Sequence, residues 1–402
     1  MTTRRDLTTA EHAWSLLEPH LTPLPIETVT RRNAWRQVLA TGIEARLDVP
    51  AQDVSAMDGY AVGAGELPQS LPVDGTIAAG DAPEQNLTPG HAARIMTGAP
   101  LPAGADRIIP IELTDGGTST VQFEGDTASG AHIRRRAEVV AAGAPLLSPG
   151  TAITPGAIAA LATHGIATLE VHRAPTVAII TTGDEVVPPD VSPRPGQLRD
   201  SHTDFLLAAG RGLALDFDSL GIAADDPDAL AERVSSGMRS DVLIIGGGVS
   251  KGAYDWVAST LTNCGCELLF HGVAIQPGKP LLVAHHAEGI VFGLPGNPNS
   301  LMATFSLFVR PAIRRLLGHD DRFWGSAIEG ELAAAVPGSR DRDRFLPARV
   351  TYRDNRAMLD PISAQGSHDM NAFAVAQALI RIPAGSEPKA AGDACSWQLL
   401  ET

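Results

Sequence analysis

The chain has 402 residues, with 31 Lys and Arg against 46 Asp and Glu, a formal net charge of −15 and 44% hydrophobic residues. At roughly 150 residues per domain that is a soluble globular chain of two to four domains, too acidic to suit nucleic acid or an anionic membrane and without the ~18-residue apolar run of a membrane span. The start, MTTRRDLTTAEHAW, has no apolar core or cleavage site, and Cys264, Cys266 and Cys395 cannot build a disulfide framework, so the cytoplasm is the expected compartment.

The 40 Gly and 30 Pro point to many tight turns. In chain order, residues 9–19 have helical spacing of Ala10, Trp14, Leu16 and Leu17, with Thr8 or Thr9 as N-cap and Pro19 as a stop. A second helix is predicted over 30–40, TRRNAWRQVLA. From 45 to about 142, short alternating runs between Gly/Pro turns read as a mostly β unit. Residues 154–167 read as a helix with a Thr-Pro start and an end at Gly165; packed on the first two helices, it would make the β unit an insertion.

From about 174 the pattern becomes β-α-β-α. TVAIITTG, ALDFDSLGIA, DVLIIGG, ELLFHGVAI, PLLVAHH and GIVFGLPG are strands. SHTDFLLAAGRG, DPDALAERVSSGM, YDWVASTLTNC and SLMATFSLFVRPAIRRLLG are helices. Near-continuous apolar strands alternating with helices predict a parallel sheet covered on both faces. After about 325, alternating segments predict a small β barrel or sandwich.

Three of the apolar strands run into Gly-containing loops that lead toward helices: Thr181-Thr182-Gly183-Asp184-Glu185, Gly246-Gly247-Gly248-Val249-Ser250-Lys251-Gly252 with Asp255 just beyond, and Gly293-Leu294-Pro295-Gly296-Asn297-Pro298-Asn299-Ser300. Ligands bind at the carboxyl ends of strands in an open α/β sheet. Backbone N–H groups at the following helix starts suit an anion. None of the loops has Walker or dinucleotide-fingerprint spacing. Asp184, Glu185, Asp225, Asp226 and Asp255 lie on or near these loops, and Mg²⁺ needs only one or two carboxylates beside ligand oxygens and water. Asp226 reads equally as a helix cap and Asp255 as a first-turn acid. Arg134-Arg135-Arg136 forms the single triple cation, a local patch able to hold an anion. Lys279, in Gln276-Pro277-Gly278-Lys279-Pro280, follows a strand and can reach the same anion. Asp58 and Thr97, read singly, are turn residues.

Taken together, DVSAMDGYAV (53–62), RIMTGAPLPAGAD (94–106), HIRRRAE (132–138), TTGDEVV (181–187), GQLRDS (196–201), GGGVSKGAYD (246–255), QPGKP (276–280), FGLPGNPNS (292–300) and QGSH (365–368) resemble the molybdopterin molybdenumtransferase family, MoeA and the E domain of gephyrin. The resemblance implies a multidomain α/β plus β fold. Its parts are a split helical linker domain (1–44 with 143–172), an inserted mostly-β domain (45–142), a parallel three-layer α/β/α molybdopterin-binding domain (173–322) and a C-terminal β-barrel domain (323–402). It implies an elongated homodimer whose site lies between the α/β domain of one subunit and the inserted and C-terminal regions of the other.

The reaction so implied binds adenylylated molybdopterin with Mg²⁺, takes molybdate, hydrolyses the adenylate and inserts Mo into the dithiolene. Asp58, Thr97, Glu185 and Asp255 would be catalytic, the first two supplied by the partner subunit, with Glu185 and Asp255 holding Mg²⁺. Substrate would meet Arg134, Thr182, Gly183, Asp184, Asp226, Gly247, Gly248, Val249, Ser250, Lys279, Pro295, Gly296, Asn297, Pro298, Ser300 and Ser367. The molybdopterin adenylyltransferase and maturation proteins of Mo enzymes would be protein partners. The sequence departs from the family pattern at Ala137-Glu138-Val139, where Gly-Glu-Asp is usual, and at Gln276, where Lys or Arg is frequent. These departures frame a second reading, a catalytically weakened paralogue that carries molybdopterin. A third, a molybdopterin adenylyltransferase, shares a similar α/β domain, but the inserted and C-terminal domains argue against it.

Overall fold

The computed structural model describes residues 7–81, 86–249 and 256–400. They form two compact units: Met1–Ala40, Ala152–Thr154 and Thr168–Thr402 in one, and Thr41–Thr151 with Pro155–Ala167 in the other.

The first helix, α1 (Ala10–Leu17), starts where the Thr9 hydroxyl accepts from the His12 N–H at 3.2 Å, a side-chain N-cap. Its Ala10, Ala13, Trp14 and Leu17 are buried on one face. The helix expected over 30–40 does not form. Strand β1 (Ile26–Thr30) precedes a 3-10 turn at Arg31–Asn33. Arg36 then turns left-handed at φ 66°, and Val38 and Leu39 are buried through bridges to Ala152 and Val171. Pairing with a distant segment overrides the helical propensity here.

The second unit is the mostly β one. It holds β2 (Gly59–Val62), β3 (Ser70–Ile77), β4 (Ala92–Ile95), β5 (Arg107–Pro110) and β6 (Thr120–Gln122), in the order β5-β2-β4-β3-β6. Side chains alternate between two cores, as a period of two requires. Ala61, Ala93, Ile95 and Ile108 share one core, and Tyr60, Val62, Ala92 and Ile109 the other. Helix α2 (Pro155–Thr163) belongs to this unit and ends before Gly165, whose φ is +64°.

In the first unit, β7 (Thr168–His172) pairs antiparallel with β1. The α/β part contains β8 (Val177–Thr182), α3 (His202–Gly212), β9 (Phe217–Ala223), α4 (Pro227–Gly237), β10 (Val242–Gly246), α5 (Val257–Asn263), β11 (Glu267–His271), β12 (Leu282–His286), β13 (Gly289–Leu294), α6 (Pro298–Thr304) and α7 (Arg310–Leu316). Its sheet runs β9-β8-β10-β13-β12-β11. The first four strands are parallel, as expected, while β12 runs against them and β11, antiparallel to β12, runs with them again. The turn between β12 and β13 is too short for a crossover, so it makes a hairpin. Val177, Ile179, Val242 and Ile244 face α1, α3 and α6; Ala178, Ile180, Leu243 and Ile245 face α4 and α5. That alternation gives three layers. Between α6 and α7 a π turn, Phe305–Val309, leads into Pro311, which has no N–H to donate.

The remaining strands are β14 (Ile328–Leu332), β15 (Asp343–Arg353), β16 (Arg356–Pro361), β17 (Ala378–Ile382) and β18 (Ala394–Leu399), with α8 (Met370–Ala374) between β16 and β17. They pair in the order β15-β16-β14-β18-β17, and β17 returns to β15. The closed five-stranded barrel settles the choice between barrel and sandwich, and Trp397, Leu359 and Ile380 fill its core.

Candidate active site at the glycine-loop edge

The carboxyl ends of β8, β10 and β13 are level, because Thr181 pairs with Gly246 and Gly246 with Leu294. The three glycine loops therefore leave the sheet side by side. A Cβ on Gly247 would stand 2.9 Å from both the carbonyl and the hydroxyl of Thr182, and one on Gly248 would stand 2.9 Å from the same hydroxyl. A Cβ on Gly296 would lie 3.7 Å from the Gly247 Cα. With φ of +101° and +64°, Gly247 and Gly248 also hold a backbone that a side chain would strain. The hydroxyl they crowd, Thr182 Oγ1, is buried and has no partner among the described residues.

Beneath these loops Asp200 caps α3. Its Oδ1 accepts from the His202 and Thr203 N–H groups at 3.0 Å each, and its Oδ2 from the Thr203 hydroxyl at 2.6 Å. The His202 ring bonds to the Gly296 backbone, and burial holds it below the ordinary imidazole value.

Carboxylates gather at one side. The Asp225 N–H donates to Asp184 Oδ1 at 3.0 Å, tying the loop after β9 to the loop after β8. Burial raises the Asp225 carboxyl above the usual carboxylate range, and the charges of Asp184 and Glu185 push it the same way; a bond from the Asp184 N–H opposes them. Like charges held this close suit a hard divalent cation. Among the described residues, no group of three or more His, Cys, Asp or Glu is arranged for a metal ion. Asp255 and Ser250 lie outside the described residues.

Other expected residues prove to have internal duties. Asp226 Oδ1 accepts from the Asp228 and Ala229 N–H groups at 3.1 and 2.9 Å, so that oxygen caps α4. The Val249 side chain is buried in the core, and its carbonyl accepts from His271 Nε2 at 2.9 Å. Only its backbone N–H is left for a ligand. Pro295 is buried, and Pro298 opens α6.

A cavity of about 580 Å³ adjoins the third loop. Lys279, Asn297 and Ser300 line it from the α/β part, with Arg342, Arg344 and Ser367 from the barrel part. No carboxylate is among its lining residues. Arg342 and Arg344 carry no sequence signal, being two cations among many at the start of a strand, and the buried Asn299 reads only as part of the third loop. Three cations with the serines Ser300, Ser363 and Ser367 make a site that suits an oxyanion.

In the second unit, Asp58 and Thr97 come together. Asp58 Oδ1 accepts from the Thr97 N–H at 2.7 Å and from its hydroxyl at 2.8 Å. These bonds, the backbone one first, hold the Asp58 carboxyl below its ordinary value, and Arg94 adds to them. The triple cation divides: Arg135 pairs with Asp53 at 2.6 Å and Arg136 with Asp48 at 2.5 Å. Arg134 is exposed, on a two-residue strand paired with Val54–Ser55, and has no ion pair among the described residues. Ala137 is left-handed at φ 59°, and Val139 is 74% exposed.

A mostly parallel α/β sheet with three glycine loops at one edge, followed by a closed barrel, is the arrangement that the family resemblance implies. Family profiles match along the chain in order: the MoeA N-terminal region (domain I and II) over residues 8–165, the probable molybdopterin binding domain over 178–315 and the MoeA C-terminal region (domain IV) over 329–400. Molybdopterin molybdenumtransferase 2 of Mycobacterium tuberculosis is 36% identical over 382 residues, 91% of this chain and 93% of that one. Molybdopterin molybdenumtransferase of Bacillus subtilis is 33% identical over 393 residues, 91% of each. A crystal structure of the molybdopterin biosynthesis MoeA protein from Pyrococcus horikoshii has a TM-score of 0.82 at 25% identity, covering 98% of this chain and all of that one. The chain belongs to the molybdopterin molybdenumtransferase family.

Proposed function

We propose that the protein is a molybdopterin molybdenumtransferase acting on adenylylated molybdopterin and molybdate. The observation that carries this reading is the cation-lined cavity beside the third of the three glycine loops. One anionic ligand suits the loops, with their N–H groups and the orphan Thr182 hydroxyl, and a second suits Lys279, Arg342, Arg344, Ser300 and Ser367. Two neighbouring anion sites are what a reaction between a phosphorylated substrate and an oxometallate requires. The adenylate's phosphates would lie on the loops at Gly183, Gly247, Gly248 and Gly296, and molybdate in the cavity. Hydrolysis of the adenylate then leaves the dithiolene to take the metal.

A Mg²⁺ ion is carried over from the family with Glu185 and Asp255 as its expected holders, and the acidic surroundings that Asp184 and Asp225 give Glu185 support a cation there. When bound, the ion neutralises charge on the cleaved phosphoanhydride. The chain's own groups orient the substrate and exclude competing water. We carry over from the family an elongated homodimer in which Asp58 and Thr97 of the partner subunit complete the site, the four-part domain division given above, and work in the cytoplasm beside the molybdopterin adenylyltransferase and Mo-enzyme maturation proteins. Among the described residues, no helix is long and apolar enough to cross a membrane.

The test supplies purified protein with adenylylated molybdopterin, Mg²⁺ and molybdate, and follows AMP release and Mo incorporation. Molybdate-dependent AMP release is expected. Tight binding of the adenylate with no such release overturns the transferase reading in favour of a carrier.

A further inference from the structure

Asn299 has no part in the chemistry above, yet its setting is specific. It lies in the first turn of α6 and is 2% exposed. Two of its donors cross to the segment 365–368 beside the barrel. The backbone N–H donates to the Ser367 carbonyl at 3.1 Å, and Nδ2 donates to the Gly366 carbonyl at 3.0 Å. Its Oδ1 is buried with no partner among the described residues. A buried acceptor left unsatisfied is costly, whereas an apolar side chain of similar volume leaves none behind. Packing alone therefore does not account for an amide at this position.

The segment it grips bears on the cavity directly, because Gly366 and Ser367 both line it. On its other side Asp369 closes the same turn, with Oδ2 accepting from the Gln365 N–H at 3.1 Å and its own N–H donating to the Gly366 carbonyl at 3.2 Å. The turn is thus complete in itself, and its link to α6 is made by Asn299.

We propose that Asn299 is a positioning residue, a clasp that holds the 365–368 segment, and with it the Ser367 hydroxyl, at a fixed place on the wall of the oxyanion cavity. The part concerning molybdate rests on the functional reading above; the clasp itself does not. Asn299→Val deletes the bond to Gly366 while keeping the main-chain bond to Ser367. Asn299→Asp sets a carboxylate against the Gly366 carbonyl.

The experiment uses the full chain and two readouts. Amide hydrogen exchange and limited proteolysis across 363–369, without ligand, read the clasp. The KM for molybdate in the AMP-release assay, and calorimetric titration with molybdate alone, read its consequence. Loss of one neutral hydrogen bond corresponds to about fivefold. Exchange in the segment should therefore quicken by about that factor in Asn299→Val and further in Asn299→Asp, and the KM for molybdate should rise in step. With positioning as its only role, kcat should stay within about a factor of two. Unchanged exchange in Asn299→Val overturns the clasp. Quickened exchange with an unchanged molybdate KM and affinity overturns its role in the cavity. If the wild-type protein neither binds molybdate nor releases AMP, the functional reading fails, and the exchange data still decide the clasp.

Discussion

Ala137→Gly should stabilise the protein. Ala137 sits at φ 59°, held there by its N–H donating to the Pro50 carbonyl at 3.0 Å, while the neighbouring Arg135 N–H donates to the Glu138 carboxylate at 2.7 Å. An L-residue in the left-handed region is strained by about 1–2 kcal/mol, because Cβ crowds the carbonyl oxygen. Glycine removes that strain, but its looser unfolded chain returns about 0.4–1 kcal/mol. The net gain is about 0.5–1 kcal/mol, or about 1–4 °C in Tm for a unit of this size. Urea unfolding of the wild type and variant, followed by far-ultraviolet circular dichroism, together with calorimetry, measures it. The midpoint should rise with an unchanged slope, since no surface burial is altered. An unchanged or lower midpoint would show that the residue is not held in the left-handed region and would refute the reasoning.

Three further outcomes are expected. Glu185→Ala should lower turnover by about 10²-fold or more while the unfolding midpoint stays in place, because Glu185 is an exposed side chain beside Asp184 and Asp225; unaltered turnover removes it from the site. Val139→Asp should raise kcat/KM if the exposed Val139 stands where the family carries a working carboxylate, and steady-state kinetics with the adenylylated substrate decide this. Stability should fall with acid in a defined window. Burial, with the charge of His285 adding, holds His20 and His286 below the ordinary imidazole value of 6.5, so the folded state resists their protonation. Their contribution is full above 6.5 and is lost as pH drops through the depressed values. His286→Phe should flatten the urea midpoint between pH 8 and pH 5.

The legible parts of the fold are those fixed by neighbouring residues. Asp226-Pro227 reads as a helix start and is one; Gly165 reads as a stop and is one. The unbroken apolar runs of β8, β10 and β13 predict burial on both faces, and so the level edge from which the glycine loops emerge. What is not legible depends on partners far along the chain. The sequence of 30–40 favours a helix, but β1 beside it pairs with β7 and Leu39 bridges to Val171. The reversed direction of β12 follows from a short turn into β13 that composition does not reveal. Arg342 and Arg344 join Lys279 only because the barrel is packed beside the third loop, and Asn299 gains meaning only from the carbonyls it meets.

The electrostatics of the site follow from the same distinction between local and global. A net charge of −15 argues against anionic partners, but the screening length is only about 8 Å at physiological salt, so a ligand feels its immediate wall. The acids are spread unevenly. Asp53 and Asp48 neutralise Arg135 and Arg136, and Asp126 with Asp106 neutralise the buried Arg107. The cavity beside the third loop is lined by Lys279, Arg342 and Arg344 with no carboxylate among its lining residues. Arg344 also donates to the Pro337 and Gly338 carbonyls, and Arg342 has Asp341 at 3.9 Å, so these side chains are braced from behind. Averaging charge along the sequence would hide this, because the cations come from segments some sixty residues apart that meet only in the folded chain. An acidic protein thereby holds a cationic cavity, with Asp184, Glu185 and Asp225 kept to the neighbouring loops rather than to the cavity wall.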